Sequence, residues 1–447
     1  MPALATARRD RLAGLLDSWD ALVDPRVGIV RSVSELRTDD DEPEFVHYIA
    51  TACDTSRFTT LANFNNTGGV STHPLDAIAK ALGEAVERYC SAIFDYRDLV
   101  LASYDELDEP ATEPETYALH SQAQYEQDGF PWQPFQRDAP LCWTRGTSLV
   151  SAEPVLVPAC MVYVPFHYLR SRPDTPIVQP ISTGLACGDS WEGAVLSGLC
   201  EAIERDAFTL TWQARLSRQR IAPATLPDRV HDLVDRYEAA GLRVEMMDIT
   251  TDIAVPVILT IAIGDAPTSP AVAVAAATDP SPEIAAIKSL EELAHTRKYA
   301  RQLLQCTPPV PVDVAAGHPD VVDQRTHLRF YCPQSARAHA EFAWSAEEVA
   351  PFPARRPPDG VRDRLADAVA AVTSCGLEPI ACDLTTPDVA ELGLHVARVV
   401  VPGLHPLFMG HRNRALGGRR LYSVPQALGF TGLAPGDPDN PYPHPFP

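Results

Sequence analysis

Two short stretches of the chain place carboxylates where helices seldom carry them. In "LCEAIERDA", residues 199–207, Glu201 stands three positions before Glu204 and Arg205 follows at once. In "LGEAVERYC", residues 82–90, Glu84, Glu87 and Arg88 repeat the arrangement. Helical residues i and i+3 share a face, so each turn presents a pair of carboxylates. Both turns lie inside long apolar helical runs, "PLDAIAKALGEAVERYCSAIF" and "WEGAVLSGLCEAIERDAFTL". Like charges repel there, and an unpaired buried carboxylate takes up a proton rather than stay charged. A shared hard cation relieves both problems. Mg2+ takes oxygen ligands and keeps contacts to substrate phosphates, so two facing pairs suit one or more Mg2+ ions against a triphosphate. Arg88 and Arg205 would steady the carboxylates or the phosphates.

A single ExxER turn reads first as a helix face with an i, i+4 salt bridge, since Glu and Arg are common helix formers. Two near-identical copies, each preceded by a Gly-containing loop and a helix start, weigh against that. A third segment, "AATDPSPEIAAIKSLEELAHTRK", residues 276–298, has the same loop-then-helix plan and presents Glu292, His295 and Arg297 in place of the acidic turn. Three converging helices would make a site.

The scaffold that must position these helices is large. The chain has 447 residues and a formal net charge of −22, which repels nucleic acid and anionic lipid and implies that a bound nucleotide arrives with metal ions. The opening "MPALATARRDRLAGLLDSW" lacks a signal-peptide core, and no later apolar run approaches the span of a bilayer, so a soluble cytoplasmic protein is expected. Ten cysteines form no CxxC pair, against a zinc ribbon or a disulfide framework. Residues 1–65 read as an irregular lead-in with "DDDEPE", 39–44, as an exposed turn, and 105–140 as a loop between the two Glu-rich helices. An internal repeat follows: "AAGLRVEMMDITTD", 239–252, aligns with "TSCGLEPIACDLTTPD", 373–388, through Gly241/Gly376, Leu242/Leu377, Asp248/Asp383 and the Thr pairs 250–251/385–386. Each copy follows an amphipathic helix, ends it with a C-cap glycine and enters a β-rich segment. The fold class is therefore α/β (α+β), built from duplicated helix–strand units with mixed and antiparallel sheets. The aspartates and threonines of the repeat are expected to serve turns and strand ends.

The sequence resembles the YcaO-domain family. The likeness rests on "STGLACGDSWEGAVLSGLCEAIERDAF" (182–208), "GVSTHPLDAIAKALGEAVERY" (69–89), the third helix, "VVVPGLHPL" (399–407) and the terminal "NPYPHPFP" (440–447). Family members bind ATP without a Walker loop, and no Gly-Lys dipeptide occurs here. The resemblance implies a lead-in at 1–60, a catalytic domain at 61–435 built around a central nucleotide site, and a proline-rich tail at 436–447. It implies an ATP- and Mg2+-dependent cyclodehydratase acting on a ribosomally made precursor peptide. A Cys, Ser or Thr side chain attacks the preceding carbonyl, the oxyanion takes the γ-phosphoryl group, and loss of phosphate leaves thiazoline or oxazoline. On the matching positions Glu84, Glu87, Glu201 and Glu204 resemble the Mg2+ ligands. Ser71, Arg88, Asp189, Arg205, Glu292, His295 and Arg297 resemble the nucleotide-binding set.

There are departures. Gly69-Val70-Ser71 replaces the common Gly-Lys-Gly, with Lys80 as a substitute cation; Asp189 replaces Asn, Gly193 a frequent Glu, and His295 a Gln. Pro443, Pro445 and Pro447 form the PxPxP ending of the azoline-forming branch, a stiff polyproline II segment that would bring the terminal carboxylate to the active site. The implied partners are the peptide, a separate leader-binding E1-like (ocin-type) chain, an FMN dehydrogenase in the same pathway and a second copy in a homodimer. Alternatives are a thioamide- or amidine-forming relative, expected to lack PxPxP, and a non-catalytic peptide-binding scaffold.

Overall fold

Strand formation follows the β-branched and apolar clusters of the sequence. Residues 13–446 are described in the computed structural model. In chain order the strands are β1 (Val30–Leu36), β2 (Val46–Ala52), β3 (Asn66–Ser71), β4 (Val100–Ala102), β5 (Leu141–Ser148), β6 (Pro154–Pro158) and β7 (Leu185–Gly188). They continue as β8 (Arg220–Ile221), β9 (Arg243–Asp248), β10 (Val257–Ile263), β11 (Val272–Thr278), β12 (Val349–Ala350), β13 (Ile380–Asp383) and β14 (His395–Val400). The long helices are α1 (Pro74–Ser91), α2 (Trp191–Gln213), α3 (Asp228–Ala239), α4 (Pro282–Cys306) and α5 (Val361–Ser374). Two compact units share them. The first takes the residues up to Arg37, Val46–Ala202 and Asp359–Leu404; the second takes Thr38–Phe45, Ile203–Pro358 and the residues from His405 onward. The division falls inside α2.

The first unit holds two antiparallel sheets, β1-β2-β3 and β4-β5-β13-β14-β7, with β6 paired to β5. Helix α1 starts at Pro74, a residue pre-set for the first helical turn, and His73 caps it by accepting the Leu75 N–H. Its Ala81, Leu82, Ala85 and Val86 are fully buried in a core shared with Val30, Ala50 and Val396. The helix lies so close to β3 that a Cβ on Gly69 would stand 2.0 Å from the Ala77 carbonyl oxygen, so only glycine fits. The expected irregular lead-in is overturned: β1 and β2 pair there, and β2 goes on to pair with β3 in the register Val46↔Ser71. The strands exist because of that non-local partner, which local propensity does not reveal. Region 105–140 carries short helical turns and one isolated bridge, Ala111 to Leu156, as expected of a loop.

The second unit is built on one sheet, β11-β10-β9-β8-β12, antiparallel except for the parallel pair β8/β12. Every residue of β10 and β11 is buried, the pattern of strands covered on both faces. Helix α4 packs on this pair, with Thr260 Oγ1 2.7 Å from Ser289 Oγ, and α3 packs on α4. Here too one expectation fails. Glu42 of "DDDEPE" is buried, 2.5 Å from Lys298 Nζ, while Arg301 lies 2.8 Å from Asp41. The counter-charges come from α4, far along the chain, and turn an acidic run into a clamped segment.

The repeat is real to the level of single hydrogen bonds. Gly241 and Gly376 adopt φ of +75° and +74° after α3 and α5. Asp248 and Asp383 each accept from the backbone N–H two residues on, Thr250 and Thr385, both at 2.9 Å. The hydroxyls of Thr250 and Thr385 in turn accept from Val257 and Val396 on the next strand. These side chains close turns, as expected. One copy lies in each unit.

The tail docks in the second unit. Asn440 N–H donates to Gln213 O at 2.9 Å, Trp212 Nε1 to Tyr442 O at 3.2 Å and Tyr331 OH to Pro443 O at 2.6 Å. Rings of His327 and His444 stack at 3.9 Å, both nearly free of solvent. Burial drives the His327 pKa down to about 4 and that of His444 well below 6.5. Both are therefore neutral in the folded chain and bind protons when it unfolds. The sign follows: the unfolded state gains protons below pH 6.5, so stability falls from there toward about pH 4. We expect the midpoint of thermal unfolding to hold above pH 7, to drop between about pH 6.5 and 4, and to drop less steeply in a chain lacking residues 441–447.

Candidate functional site

The acidic turns of the first unit are held by backbone. Glu84 Oε2 accepts the Gly68 N–H at 3.1 Å, and Glu201 Oε2 accepts the Gly184 N–H at 3.2 Å. In each case the first glutamate of the turn reaches back to a glycine in the strand segment that precedes its own helix. Gly184 sits at φ +85°, and a Cβ there would stand 2.2 Å from Val399 O. The donor thus depends on a backbone position closed to other residues. Glu87 Oε1 accepts from Cys187 N at 2.8 Å, and Arg88 Nη2 donates to Glu84 Oε1 at 3.1 Å. Glu87 is pushed well above the usual carboxylate range, first by burial and then by the charges of Glu84 and Glu201, against Arg88 and the Cys187 N–H. Glu84, Glu87, Arg88 and Glu201 therefore form one electrostatic cluster.

Around it, Lys80 Nζ donates to Val70 O at 2.9 Å, which puts an ammonium group on the Gly69-Val70-Ser71 segment where a loop lysine is missing. Ser71 is buried at the end of β3. Asp189 is half-buried just before α2, whose first turn is capped as Ser190 Oγ accepts the Gly193 N–H at 3.3 Å. A Cβ at 193 would stand 2.9 Å from that hydroxyl, which would have to turn aside. Among the described residues no three His, Cys, Asp or Glu side chains are close enough to hold a metal ion unaided. The donor set still fits Mg2+, which takes one or two carboxylates and fills its remaining positions with water and phosphate oxygens. Glu87, raised by burial and by the neighbouring carboxylate charges, is the kind of group such an ion neutralises.

The remaining predicted residues lie in the second unit. Glu204 is 8% exposed at its side chain, and Arg205 Nη1 lies 3.5 Å from its Oε1. The Arg205 guanidinium sits 4.5 Å above the Phe446 ring, and Phe446 packs 4.2 Å from Phe208. One residue further, Asp206 is fully buried and chelated by Arg420, Nε at 2.8 Å and Nη2 at 2.7 Å, while Arg420 also binds Asp252. On α4, Glu292 and His295 are half-buried; Arg297 is 3% exposed and donates to Ser269 Oγ at 3.1 Å. Pro443 and Pro445 are buried, and Pro447 lies outside the described residues.

One charged residue of the first unit escaped the sequence reading. Arg398 on β14 stands in the run "HVARVVV", which looks like an ordinary core strand, yet its pKa is held at about 10 by burial against the pull of Glu201. A lone basic residue inside a buried strand is the only signal that would have found it.

A family model described as YcaO cyclodehydratase, ATP- and Mg2+-binding, matches residues 68–405. A curated protein from Rhizobium leguminosarum bv. trifolii, described as an uncharacterized protein in the tfuA 3' region, is 30% identical over 277 residues, 59% of this chain and 61% of its own length. A structure titled heterocyclase in complex with substrate and cofactor superposes with a TM-score of 0.77 at 22% identity, over 98% of this chain and 57% of that one. YcaO from Methanopyrus kandleri, solved with AMPPCP and Mg2+, gives 0.61 at 20% identity, over 84% and 86% of the two chains. At these identities the structures show a shared fold. The chain spans about three-fifths of the curated relative and of the heterocyclase.

The raised Glu87 yields a test that needs no substrate. Glutamine imitates the protonated acid, so Glu87→Gln should fold with an unfolding midpoint equal to or above that of the parent at neutral pH, while its affinity for Mg-nucleotide falls by about tenfold or more. A clear loss of stability with unchanged nucleotide affinity would assign Glu87 to packing alone.

Proposed function

Because the chain belongs to the YcaO family, we propose that it uses ATP and Mg2+ to cyclise Cys, Ser or Thr residues of a ribosomally synthesised precursor peptide to thiazoline or oxazoline. The observation that carries this reading is the set of helix-borne carboxylates latched to backbone N–H groups. On the family resemblance, Glu84, Glu87, Glu201 and Glu204 would hold the ion. When bound, Mg2+ supplies neutralisation of the phosphate oxygens. Arg88 fixes Glu84, and on the same resemblance Lys80, Ser71, Asp189, Arg205, Glu292, His295 and Arg297 would serve nucleotide binding. In the reaction the peptide's heteroatom bonds to the preceding carbonyl carbon, and the amide oxygen departs on the transferred phosphoryl group. Residues 61–435 make up the catalytic body, whose first sheet also takes β1 and β2 from the segment before it.

The docked part of the tail, through Phe446, supports the azoline branch over thioamide or amidine formation. It arrives with Pro443 and Pro445 buried and Phe446 against Arg205, and in this reading Pro447 presents its carboxylate to the peptide. A free leader-binding E1-like (ocin-type) chain delivers the peptide, an FMN dehydrogenase of the pathway oxidises the rings, and the enzyme works as a homodimer in the cytoplasm. No described helix is long and apolar enough to cross a membrane.

Two experiments test the reading. Glu201→Gln should abolish Mg2+-dependent ATP consumption and the loss of water from the peptide, followed by mass spectrometry, with thermal unfolding unchanged. Turnover at the parental rate would remove Glu201 from the site. Adding one glycine after Pro447 moves the terminal charge by ~3.3–3.6 Å, more than a catalytic hydrogen bond absorbs. It should cut cyclisation at least tenfold, roughly, while ATP affinity stays within about twofold. Equal cyclisation by the extended chain would deny the tail any part in the chemistry.

A further inference from the structure

Three carboxylates and two guanidinium groups make up the cluster of the first unit, and only one of the guanidiniums has a carboxylate partner within it. Arg88 is spent on Glu84. Arg398 is 4% exposed and grips the backbone instead: Nε donates to Met161 O at 3.0 Å and Nη2 to Ile181 O at 2.7 Å. Its Nη1 has no hydrogen-bond partner among the described residues. A buried N–H left unsatisfied is costly, and a buried cation without an anion more so. Native interiors rarely keep such a group unless something external completes it.

The backbone around Arg398 is tied to the site. Arg398 stands opposite Leu185 in the β14/β7 pairing. Val399 N–H donates to Gly184 O at 2.8 Å, and Gly184 N–H donates to Glu201. The segment from Ile181 to Gly184 is thus held by Arg398 at one end and latches Glu201 at the other. Glu201 is the strongest electrostatic influence favouring the charged form of Arg398, and Arg88 opposes it.

We propose that Arg398 is an anion-binding residue of this site, whose free Nη1 takes a phosphate oxygen of the Mg-nucleotide held beside Glu201. The assignment deepens the ATP-dependent reading and rests on it. It also supplies a fixed cation in a chain whose phosphate loop lacks the usual lysine. Arginine suits the task because two of its nitrogens are anchored while a third stays available, a geometry that lysine's single ammonium cannot copy.

The test measures binding of ATP and of adenosine to the full chain in the presence of Mg2+, for the parent, Arg398→Met and Arg398→Lys, with thermal unfolding of each. The methionine variant should bind ATP about tenfold to a hundredfold more weakly, with adenosine affinity within about twofold. The lysine variant should fall between, and its binding decides the question if the methionine variant does not fold. ATP binding at parental strength in the folded variants overturns the assignment, and so does an equal loss of ATP and adenosine, which marks a structural role. A parent chain that binds no ATP removes the nucleotide reading itself, and the role of Arg398 with it.

Discussion

A carboxylate enclosed by packed helices must find an N–H, a cation or a proton, and the first unit is arranged around that requirement. Glu84, Glu87 and Glu201 each take one backbone N–H, from Gly68, Cys187 and Gly184. For Gly68 and Gly184 the donor lies in the segment leading into the helix that carries the acid. Satisfying the acid therefore fixes how each helix sits on its own strand. The close approach of α1 to β3 at Gly69 and of Gly184 to Val399 O follows from the same demand. What the backbone does not supply is enough positive charge, and Glu87 shows the deficit in its raised pKa.

The second unit solves a related problem by other means. Asp206, one helical step beyond Arg205, is completely buried and is met by the bidentate Arg420, which Asp252 holds from the other side; the His405 N–H adds a further bond at 2.7 Å. Breaking such a group leaves an uncompensated interior charge, so it fixes the local frame more firmly than its net contribution to stability suggests. The tail is seated on neighbouring residues of the same helix, through Trp212, Gln213 and Phe208. Arg205 thus has its neighbours set on one side by an ion cluster and on the other by an aromatic ring.

Much of this was legible in the sequence where the signal was local. The ExxER turns declared themselves through helical spacing, and the Gly–Asp–Thr repeat through matching turn chemistry, because both depend on residues within a few positions of one another. The glycine donors were not legible: Gly68 and Gly184 act across a full helix, and nothing in a glycine's identity says which way its N–H points. Arg398 was hidden by its surroundings, since valines on both sides argue for core. Glu42 misled for the opposite reason. Its acidic neighbours argue for solvent, while the lysine and arginine that bury it come from α4. The family model over 68–405 agrees with the motif reading, and the nucleotide and Mg2+ expected from the glutamates are those of the family description.

The order of the six-stranded sheet has a consequence for how the chain comes into being. Strands β13 and β14 occupy its interior, between β5 and β7, yet they are encoded after the whole of Ile203–Pro358. A nascent or cleaved chain that stops short of them leaves β5 and β7 with open edges, the surfaces most prone to pair with the wrong partner. It also lacks Val399, whose N–H closes on Gly184 and so backs the donor that Glu201 uses. Strands encoded after Ile203–Pro358 thus back the first unit's acidic cluster, so a fragment ending before β13 keeps the acids but loses part of the frame that aims them.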